Sequence, residues 1–395
     1  MLRYITEDIV YIGTDDLDLD LFESQYIVPE GMAYNSYLIR DEKTAIMDTS
    51  DWRKGEQWKE NLKEALGSKA PDYLVVHHME PDHSALAAWA LSEWPELKIV
   101  ASAKAVQMFG QFFEGVSLEG RAITVKESDT LPLGRHCLAF KAAPMVHWPE
   151  VMVSFDTLDK VLFSADGFGK FGALSKCGFF ADEDDDWACE ARRYYFNICG
   201  KYGAQVQALL KKAAALAPEI ICPLHGPIIR KELGCYTGLY DIWSRYAVES
   251  EGVFIAYASI HGGTAAAALK LREVLLAKGA PKVAITDLSR EDQAEAVEDA
   301  FRYGTTVFAA ASYDAGVFPP MDIFLHHLRD KGWQKRRAAI LENGSWAPSA
   351  GRVIRENLSN MKEITVLEPS VTIRSRLTKA DFPALEALAE SILNQ

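Results

Sequence analysis

The sequence predicts two units in one chain: an N-terminal pair of face-to-face sheets with helices outside, then an open parallel α/β sheet. Short β-rich runs separated by turn signals fill the first half: KTAIMDT, YLVVHH, KIVAS, HCLAFKAAP, VMVSFDT and KVLFSAD. After Gly252, five apolar runs alternate with helix-length segments: VFIAYAS, KVAITDL, TTVFAAAS, RAAILENGS and EITVLEP. The first pattern is typical of packed sheets and the second of a parallel sheet. We place the two domains at residues 1–250 and 251–395.

Length and charge limit the class of protein. At 395 residues the chain exceeds what one hydrophobic core normally organises. The formal net charge of −14 argues against a nucleic-acid or anionic-membrane partner, because phosphate binding depends on clustered Lys and Arg. No run approaches the ~18 consecutive apolar residues of a membrane span, and the opening MLRYITED lacks the apolar core of a signal peptide. We therefore expect a cytoplasmic protein.

The cysteines predict no chemistry of their own. The chain has 6 of them and no C-x-x-C pair, which argues against a zinc ribbon and a rubredoxin-type iron site in this chain. We expect buried free thiols.

The stretch VVHHMEPDHS, residues 75–84, places histidines and carboxylates directly after an apolar run that predicts a buried strand. Such groups are costly to desolvate unless something pairs with them. In an extended loop, alternate residues point the same way, so His78, Glu80 and Asp82 converge, and His83 adds a fourth donor. Because a single catalytic metal typically takes three protein ligands, these four predict a two-metal site.

Further donors follow other apolar runs of the first unit. His147 follows AAPMV, Asp166 follows VLFSA, and His225 follows IICPL. The predicted ligands, which are also the predicted catalytic residues, are His78, Glu80 and His147 for one metal, Asp82, His83 and His225 for the other, and Asp166 as the bridge. The alternative is that the histidines are core residues whose hydrogen bonds are satisfied and that the aspartate caps a neighbouring segment. This is reasonable for any one position but not for the whole set.

Three neighbouring residues fall outside this ligand set. We expect His77 to make a buried hydrogen bond rather than to bind a metal. We expect Tyr26 and Tyr195 to be core residues, with proton supply near the metals as the alternative.

The motif H-x-E-x-D-H, followed by a distant His, Asp and His, resembles the metallo-β-lactamase superfamily, whose usual signature is H-x-H-x-D-H. Glu80 stands where those hydrolases have their second histidine, and harder oxygen ligands favour iron over zinc. This variant, followed by a flavodoxin-like unit, is similar to the flavodiiron proteins. The resemblance implies a metallo-β-lactamase-like αββα sandwich (α+β) and then a flavodoxin-like doubly wound parallel sheet (α/β). It also implies two non-haem irons and one FMN per chain.

Three loops of the second unit form the predicted flavin site. The first, SIHGGT, joins a strand to an Ala-rich helix, whose N-terminal N–H groups can bind phosphate. ASYDAGVFPPM and ENGSWAPSAG follow the third and fourth strands, where flavodoxin-like proteins flank the ring, and Tyr313 and Trp346 are expected to stack on it. The predicted contacts are Ser259, Ile260, His261, Gly262, Gly263, Thr264, Ser312, Tyr313, Asp314, Ala315, Gly316, Ser345, Trp346 and Ala347. No G-x-G-x-x-G follows a strand, so no dinucleotide is predicted.

A flavin and a dimetal site together imply electron delivery to a redox-active metal pair. The resemblance implies reduction of dioxygen to water or of nitric oxide to nitrous oxide. It further implies a rubredoxin-type or reduced-deazaflavin electron donor, which we expect to be separate from this chain. The expected assembly is a head-to-tail homodimer, or a dimer of dimers, that sets one subunit's flavin against the other's irons.

Three other functions are weighed against this one. A metallo-β-lactamase-type zinc hydrolase with a flavodoxin-like accessory domain is disfavoured by Glu80. An electron carrier without metal is disfavoured by the large ligand set. A flavin-dependent sensor would need an interaction surface, and the sequence offers no candidate.

Overall fold

The structure is a computed structural model that describes residues 2–394. The chain divides into two compact units, one of residues 1–195 with 202–241 and the other of residues 196–201 with 242–395. The division thus falls between Asp241 and Ile242, whereas the sequence places the domain boundary at residue 250.

Two main sheets form the first unit. Its strands are β1 (Arg3–Tyr4), β2 (Ile9–Tyr11), β3 (Thr14–Asp16), β4 (Leu21–Phe22), β5 (Tyr26–Ile27), β6 (Met32–Tyr34), β7 (Tyr37–Ile39), β8 (Ala45–Met47), β9 (Tyr73–Val76), β10 (Lys98–Ser102), β11 (Ala122–Val125), β12 (Thr130–Pro132), β13 (Cys137–Ala142), β14 (Met152–Asp156), β15 (Val161–Phe163) and β16 (Ile220–Cys222). The larger sheet has the order β1-β2-β7-β8-β9-β10-β11 and the smaller β12-β13-β14-β15-β16. Two short pairs, β3–β6 and β4–β5, were not predicted.

The helices of this part of the chain are α1 (Gly55–Leu66), α2 (Pro81–Ser84), α3 (Ala87–Glu93), α4 (Ala103–Phe112), α5 (Leu174–Cys177), α6 (Trp187–Ile198), α7 (Gly203–Leu216) and α8 (Leu233–Ser244). The 3₁₀ turns are Trp52–Lys54, Ala181–Glu183 and Gly200–Tyr202. Both α6 and α8 extend across the division between the units.

The inner faces of the two sheets pack against each other. Val75 of β9 and Val100 of β10 share a core with Phe140 of β13 and Phe163 of β15. On its other face the larger sheet packs against α1, α3 and α4, with Trp58 at the centre of that core. The larger sheet is therefore buried on both sides, which explains why β9 is almost wholly apolar.

The second unit is a parallel sheet with helices on both faces. Its strands are β17 (Ser250–Ala258), β18 (Val283–Asp287), β19 (Tyr303–Tyr313), β20 (Gly316–Val317), β21 (Arg336–Asn343), β22 (Ile364–Val366) and β23 (Val371–Ile373). Its helices are α9 (Gly263–Ala277), α10 (Gln293–Arg302), α11 (Pro319–Asp330), α12 (Ala350–Ser359) and α13 (Phe382–Leu393), with a 3₁₀ turn at Lys379–Asp381. The main order is β18-β17-β19-β21-β22, with β20 antiparallel to β19 and β23 beside β21.

The alternating faces of the central strands explain the two helix layers. Ile255 of β17 and Val307 of β19 pack with α9 and α13. The intervening residues Phe254 and Phe308 pack edge-on or tilted against Phe324 of α11. Each strand therefore buries both sets of side chains, which is why these strands lack a polar face. No helix among residues 2–394 is both long enough and apolar enough to cross a membrane.

We expect Leu271→Ala to destabilise the second unit by about 2–5 kcal/mol, because Leu271 of α9 is fully buried and its truncation leaves a cavity. Chemical denaturation followed by circular dichroism measures this loss. The matched control is Leu269→Ala on the same helix, where the side chain is 45% exposed and the cost should stay within about 0.5 kcal/mol. Equal costs for the two variants would contradict the assigned face of α9.

Candidate dimetal and flavin sites

Strand directions bring the predicted ligands to one edge of the first unit. The ligand loop follows the carboxyl end of β9 in the larger sheet. In the smaller sheet β15 and β16 are parallel, so Asp166 and His225 follow strands that end side by side. The neighbouring β14 is antiparallel to β15, so His147, which precedes β14, lies at that same edge. Ligands far apart in sequence therefore meet because the strands end or begin there.

The first cluster contains His78, Glu80, His147 and Asp166. Glu80 Oε2 lies 3.1 Å from His78 Nε2 and 3.0 Å from His147 Nε2. Asp166 Oδ2 lies 3.5 Å from His78 Nε2 and 3.2 Å from His147 Nε2. All four side chains thus present one donor atom each to a common point.

The second cluster contains Asp82, His83 and His225. The Nε2 atoms of His83 and His225 lie 3.0 Å apart, and Asp82 Oδ2 is 3.3 Å from both. Asp166 faces this cluster with its other oxygen, because Oδ1 lies 3.2 Å from His83 Nε2 and 3.7 Å from His225 Nε2. The carboxylate therefore has one oxygen toward each cluster, the arrangement expected of a bridge.

One detail of the expected loop is wrong. The sequence predicts an extended loop in which Asp82 converges with His78 and Glu80. In the structure the extended backbone ends at Glu80, since Pro81 starts the helical turn α2. A helical turn rotates successive side chains by about 100°, so Asp82 and His83 point away from the first cluster. The helical turn, rather than alternation along a strand, separates the two ligand sets.

The distances within each cluster match two donors on one metal. Two donors at about 2.1 Å from one ion, with an angle between 90° and tetrahedral, lie roughly 3.0–3.4 Å apart. Both oxygens of Asp82 and Oδ1 of Asp166 are buried and accept no hydrogen bond within the described part of the chain. Buried carboxylate oxygens without donors need a cation. The donor set therefore fits a pair of metal ions, and carboxylates in it suit iron.

The charges of the cluster act on one another. Burial by itself lowers the pKa of His78 and of His147, but the surrounding carboxylates raise both, that of His147 to about 9. Burial by itself raises the pKa of Asp166, but the imidazoles of His78 and its neighbours hold it well below its ordinary value. Without a metal, protons on the imidazoles balance the carboxylates, so metal binding must displace protons.

Glu150 orients the first cluster and was missed in the sequence. Its Oε1 pairs with His78 Nδ1 at 2.7 Å and accepts the Met79 N–H at 2.9 Å. This contact leaves Nε2 of His78 for the metal, the usual arrangement of a ligating histidine. Glu150 lies three residues after His147. Nothing in that spacing indicates that it contacts a histidine on another strand.

His225 and His77 have different partners. His225 Nδ1 pairs with the Ala33 carbonyl at 2.8 Å, which leaves its Nε2 for the metal. His77 Nδ1 pairs with Asp48 at 2.5 Å and its Nε2 with Ser154 at 2.7 Å. The expectation of a buried hydrogen bond for His77 is therefore confirmed, and both of its ring nitrogens are engaged away from the metals.

Aromatic rings enclose the second cluster. Phe22 lies 5.4 Å, Tyr34 6.1 Å and Tyr194 5.6 Å from the His225 ring, measured between centroids. Tyr26 instead packs against Phe171 and Tyr195 against Tyr240. A one-residue step on helix α6 turns the side chain to another face, so Tyr194 contacts this cluster while Tyr195 packs elsewhere.

In the second unit, the three predicted loops follow strands that end at one edge of the sheet. Ala258 of β17 pairs with Ala310 of β19, and Ala311 pairs with Asn343 of β21. Ligands of open parallel sheets bind beyond the carboxyl ends of the strands. The loops that continue from β17, β19 and β21 therefore border the same region of space.

The SIHGGT loop has the form of an anion site. Gly262 caps helix α9 in a left-handed conformation (φ 86°), and its N–H donates to Ser259 Oγ at 3.1 Å. A side chain at Gly263 would overlap the Ser375 carbonyl, since a Cβ there would lie 2.2 Å from that oxygen. The Thr264 hydroxyl is buried and makes no hydrogen bond to any of residues 2–394. A phosphate at this helix N-terminus would supply its missing partner.

The other two loops provide aromatic surfaces. Asp314 and Ala315 form the turn between β19 and β20 with positive φ. Tyr313 is 46% exposed and Trp346 90% exposed, so both rings offer a face on which a planar group can stack. The hydroxyl of Ser312 accepts the N–H of Ser349 at 2.8 Å and so ties the two loops together. These features fit a flavin ring as well as its phosphate.

A fourth loop completes this edge and was missed in the sequence. Ser375, which follows β23, donates from its hydroxyl to Ser345 at 2.8 Å, and its carbonyl accepts from Asn343. The short strand β23 was not predicted, so its loop gave no signal.

Comparison with known proteins supports this architecture. A family model described as "ODP family beta lactamase" matches residues 32–226. The structure superposes on rubredoxin:oxygen oxidoreductase from the anaerobe Desulfovibrio gigas with a TM-score of 0.93 and 25% identity, covering 99% of this chain and 98% of that one. The flavodiiron protein from Giardia intestinalis matches with a TM-score of 0.92 and 23% identity, over 99% of this chain and 96% of that one.

The chain has the fold of the flavodiiron proteins over nearly its whole length. The predicted metallo-β-lactamase-like and flavodoxin-like fold classes are thereby confirmed.

Two curated relatives of this chain differ in coverage. "Putative diflavin flavoprotein A 1" of Thermosynechococcus vestitus is 33% identical over 62% of this chain and 43% of that protein. "Anaerobic nitric oxide reductase flavorubredoxin" of Vibrio vulnificus is 27% identical over 91% of this chain and 73% of that protein. The chain thus spans less than half the length of the diflavin relative.

We expect Glu150→Ala to weaken metal binding in the first unit about 10- to 100-fold, because His78 loses the carboxylate that orients its ring. Metal retained per chain after dialysis against graded chelator measures the change. Glu114→Ala, at an exposed carboxylate of the same unit, is the control and should match the wild type. Unchanged metal retention in Glu150→Ala would restrict Glu150 to its hydrogen bond with the Met79 backbone.

We expect Trp346→Ala to weaken FMN binding roughly two- to tenfold, since a stacked aromatic pair contributes about 0.5–1.5 kcal/mol. Fluorescence titration of the flavin-depleted protein measures the dissociation constant. Trp346→Phe retains a stacking face and serves as the matched control. Because the indole is 90% exposed, the melting temperature of the flavin-free protein should not change. Equal FMN affinity in both variants and the wild type would remove Trp346 from the site.

Proposed function

We propose that this protein is a flavodiiron oxidoreductase that reduces dioxygen to water, nitric oxide to nitrous oxide, or both. Two irons held by the seven ligands would carry out the reduction, with electrons delivered through FMN bound at the SIHGGT, 312–316 and 345–347 loops. The observation that carries the proposal is Asp166, which places one carboxylate oxygen at each ligand cluster. Such a bridge keeps two metals close enough to engage one small molecule together.

The residues around the clusters suit a small gas molecule as substrate. Glu80 and His147 keep 16% and 11% of their side chains exposed, whereas Asp166 and His225 are almost fully buried. The open side of the site is therefore small and lies at Glu80 and His147. Bound iron supplies Lewis acidity and electrons to the molecule that enters there. The aromatic rings at His225 exclude water from the opposite side.

Two further observations support reduction over hydrolysis. Hydrolysis needs no electron carrier, yet the chain carries a second unit with the features of a flavin site. The likeness over 99% of the chain to a structure titled rubredoxin:oxygen oxidoreductase supports dioxygen as a substrate. The relative named anaerobic nitric oxide reductase flavorubredoxin supports nitric oxide.

We further propose an external electron donor, either a rubredoxin-type protein or a reduced deazaflavin, and a head-to-tail homodimer or a dimer of dimers. The likeness to a structure titled rubredoxin:oxygen oxidoreductase supports a rubredoxin-type donor. Anaerobic titration with each donor, followed by the bleaching of FMN absorbance, tests the first part. Light scattering of the loaded protein tests the second, and a monomer would contradict it.

The decisive test uses protein loaded with iron and FMN, reduced anaerobically and exposed separately to each gas. We expect the wild type to consume nitric oxide with formation of nitrous oxide, or to turn dioxygen into water without releasing hydrogen peroxide. Asp166→Asn should lose this activity about 100-fold or more, because the bridge between the clusters is weakened. Its FMN should remain bound and react with dioxygen to give hydrogen peroxide.

Asp185→Asn, at an exposed carboxylate of the first unit, is the matched control and should behave as the wild type. Iron, zinc and FMN contents are measured on each sample. Gas consumption by Asp166→Asn at the wild-type rate would place the reaction elsewhere. A wild type loaded with both cofactors that consumes neither gas would overturn the proposed function.

A further inference from the structure

We propose that the first unit binds a third divalent metal ion, at a site formed by His136, Asp156 and Asp159. One donor atom from each of these residues lies within 4.8 Å of the other two. The proposal is independent of the reaction at the dimetal site.

The three residues lie at the opposite end of the smaller sheet from the dimetal site. β14 begins at Met152, close to Glu150, and ends at Asp156. Its antiparallel neighbour β13 begins just after His136, and Leu138 pairs with Asp156. Since a strand rises about 3.3 Å per residue, the length of β14 puts roughly 13 Å between its two ends. The two sites therefore share no ligand.

A buried nitrogen of His136 faces a buried carboxylate oxygen. Both His136 and Asp156 are fully buried. His136 Nε2 lies 3.4 Å from Asp8 Oδ2, and a ring proton held on that side would leave Nδ1 with a lone pair, the usual arrangement of a ligating histidine. Nδ1 faces Asp156 Oδ1 at 3.1 Å, and neither atom makes a hydrogen bond in the part of the chain that the structure describes. In that tautomer the two atoms are both acceptors and need a cation beside them.

The other oxygens of the cluster are already assigned. Asp156 Oδ2 accepts the Asp159 N–H at 2.8 Å, so Oδ1 is the atom left for a ligand. Asp159 Oδ2 accepts from the Thr6 hydroxyl at 2.5 Å. Asp159 is half-buried, so an ion can enter from its side. Solvent can fill the remaining coordination positions.

The charge balance also favours a divalent ion. Asp8, Asp156 and Asp159 contribute three negative charges, and Arg135 neutralises one through its contact with Asp8 at 2.5 Å. With a neutral His136, two negative charges remain, which one divalent cation balances. A protonated imidazole would balance only one of them. One nitrogen and two carboxylate ligands suit a borderline ion such as zinc.

The test adds Zn²⁺ to protein whose dimetal site is already filled with iron. We expect one additional zinc per chain by elemental analysis after gel filtration, with the iron content unchanged. Asp159→Asn should bind this zinc about tenfold more weakly or worse. Asp159 is chosen because it lies at the half-buried rim, where the substitution should not prevent folding. Zinc at one concentration should raise the melting temperature of the wild type more than that of Asp159→Asn.

Asp185→Asn is the matched control and should bind the additional zinc as the wild type does. Asp156→Asn replaces a buried carboxylate by a neutral amide, and it provides a second test if the variant folds. Absence of an additional zinc in the wild type would mean that a proton on His136 links the carboxylates, and would overturn the proposal. An additional zinc bound equally by the wild type and Asp159→Asn would be an adventitious ion only, which would overturn it as well.

Discussion

The structure of the first unit depends on one constraint: three carboxylates and four imidazoles are packed together at the edge where its two sheets meet, and all but Glu80 and His147 are buried. Moving one such charge out of water costs several kcal/mol unless opposite charges compensate it. Glu80 and Asp166 obtain that compensation from His78 and His147, and Asp166 also from His83. The larger sheet contributes the ligand loop and the smaller sheet contributes the rest. The site therefore ties the two sheets together at this edge, and both must be in register for it to form.

The proposed flavin site of the second unit is built from neutral groups rather than charged ones. Its loops contribute hydroxyls, backbone N–H groups and exposed rings rather than buried charges. A phosphate brings its own charge and needs donors, while a flavin ring needs a free aromatic face. Most of the metal ligands are consequently buried, whereas Trp346 is open to solvent. The two sites differ in burial because their ligands differ in charge.

Much of this arrangement follows from the sequence, because polar residues directly after apolar runs mark strand ends. That rule located all the donors that meet in the two clusters, and it predicts the three loops proposed for the flavin. It did not predict why Asp82 and His78 belong to different clusters. The sequence predicts an extended loop, whereas Pro81 begins a helical turn. Glu150 and Tyr194 were also missed. The partner of Glu150 lies 72 positions away, and the choice between Tyr194 and Tyr195 depends on how α6 is rotated. Such details depend on packing between elements, which the spacing along one chain does not record.

The same strands support buried polar groups at both of their ends. Just before β14, Glu150 orients His78, and at its other end Asp156 faces His136. All five residues of β14 are buried, so the strand has little freedom to adjust one end without moving the other. Asp166 follows β15, which pairs with β14 along its length. An ion at His136 would therefore hold β14 and β15 in register from the far end. The position of Glu150 and Asp166 at the dimetal site would then depend on ligands that contact neither cluster.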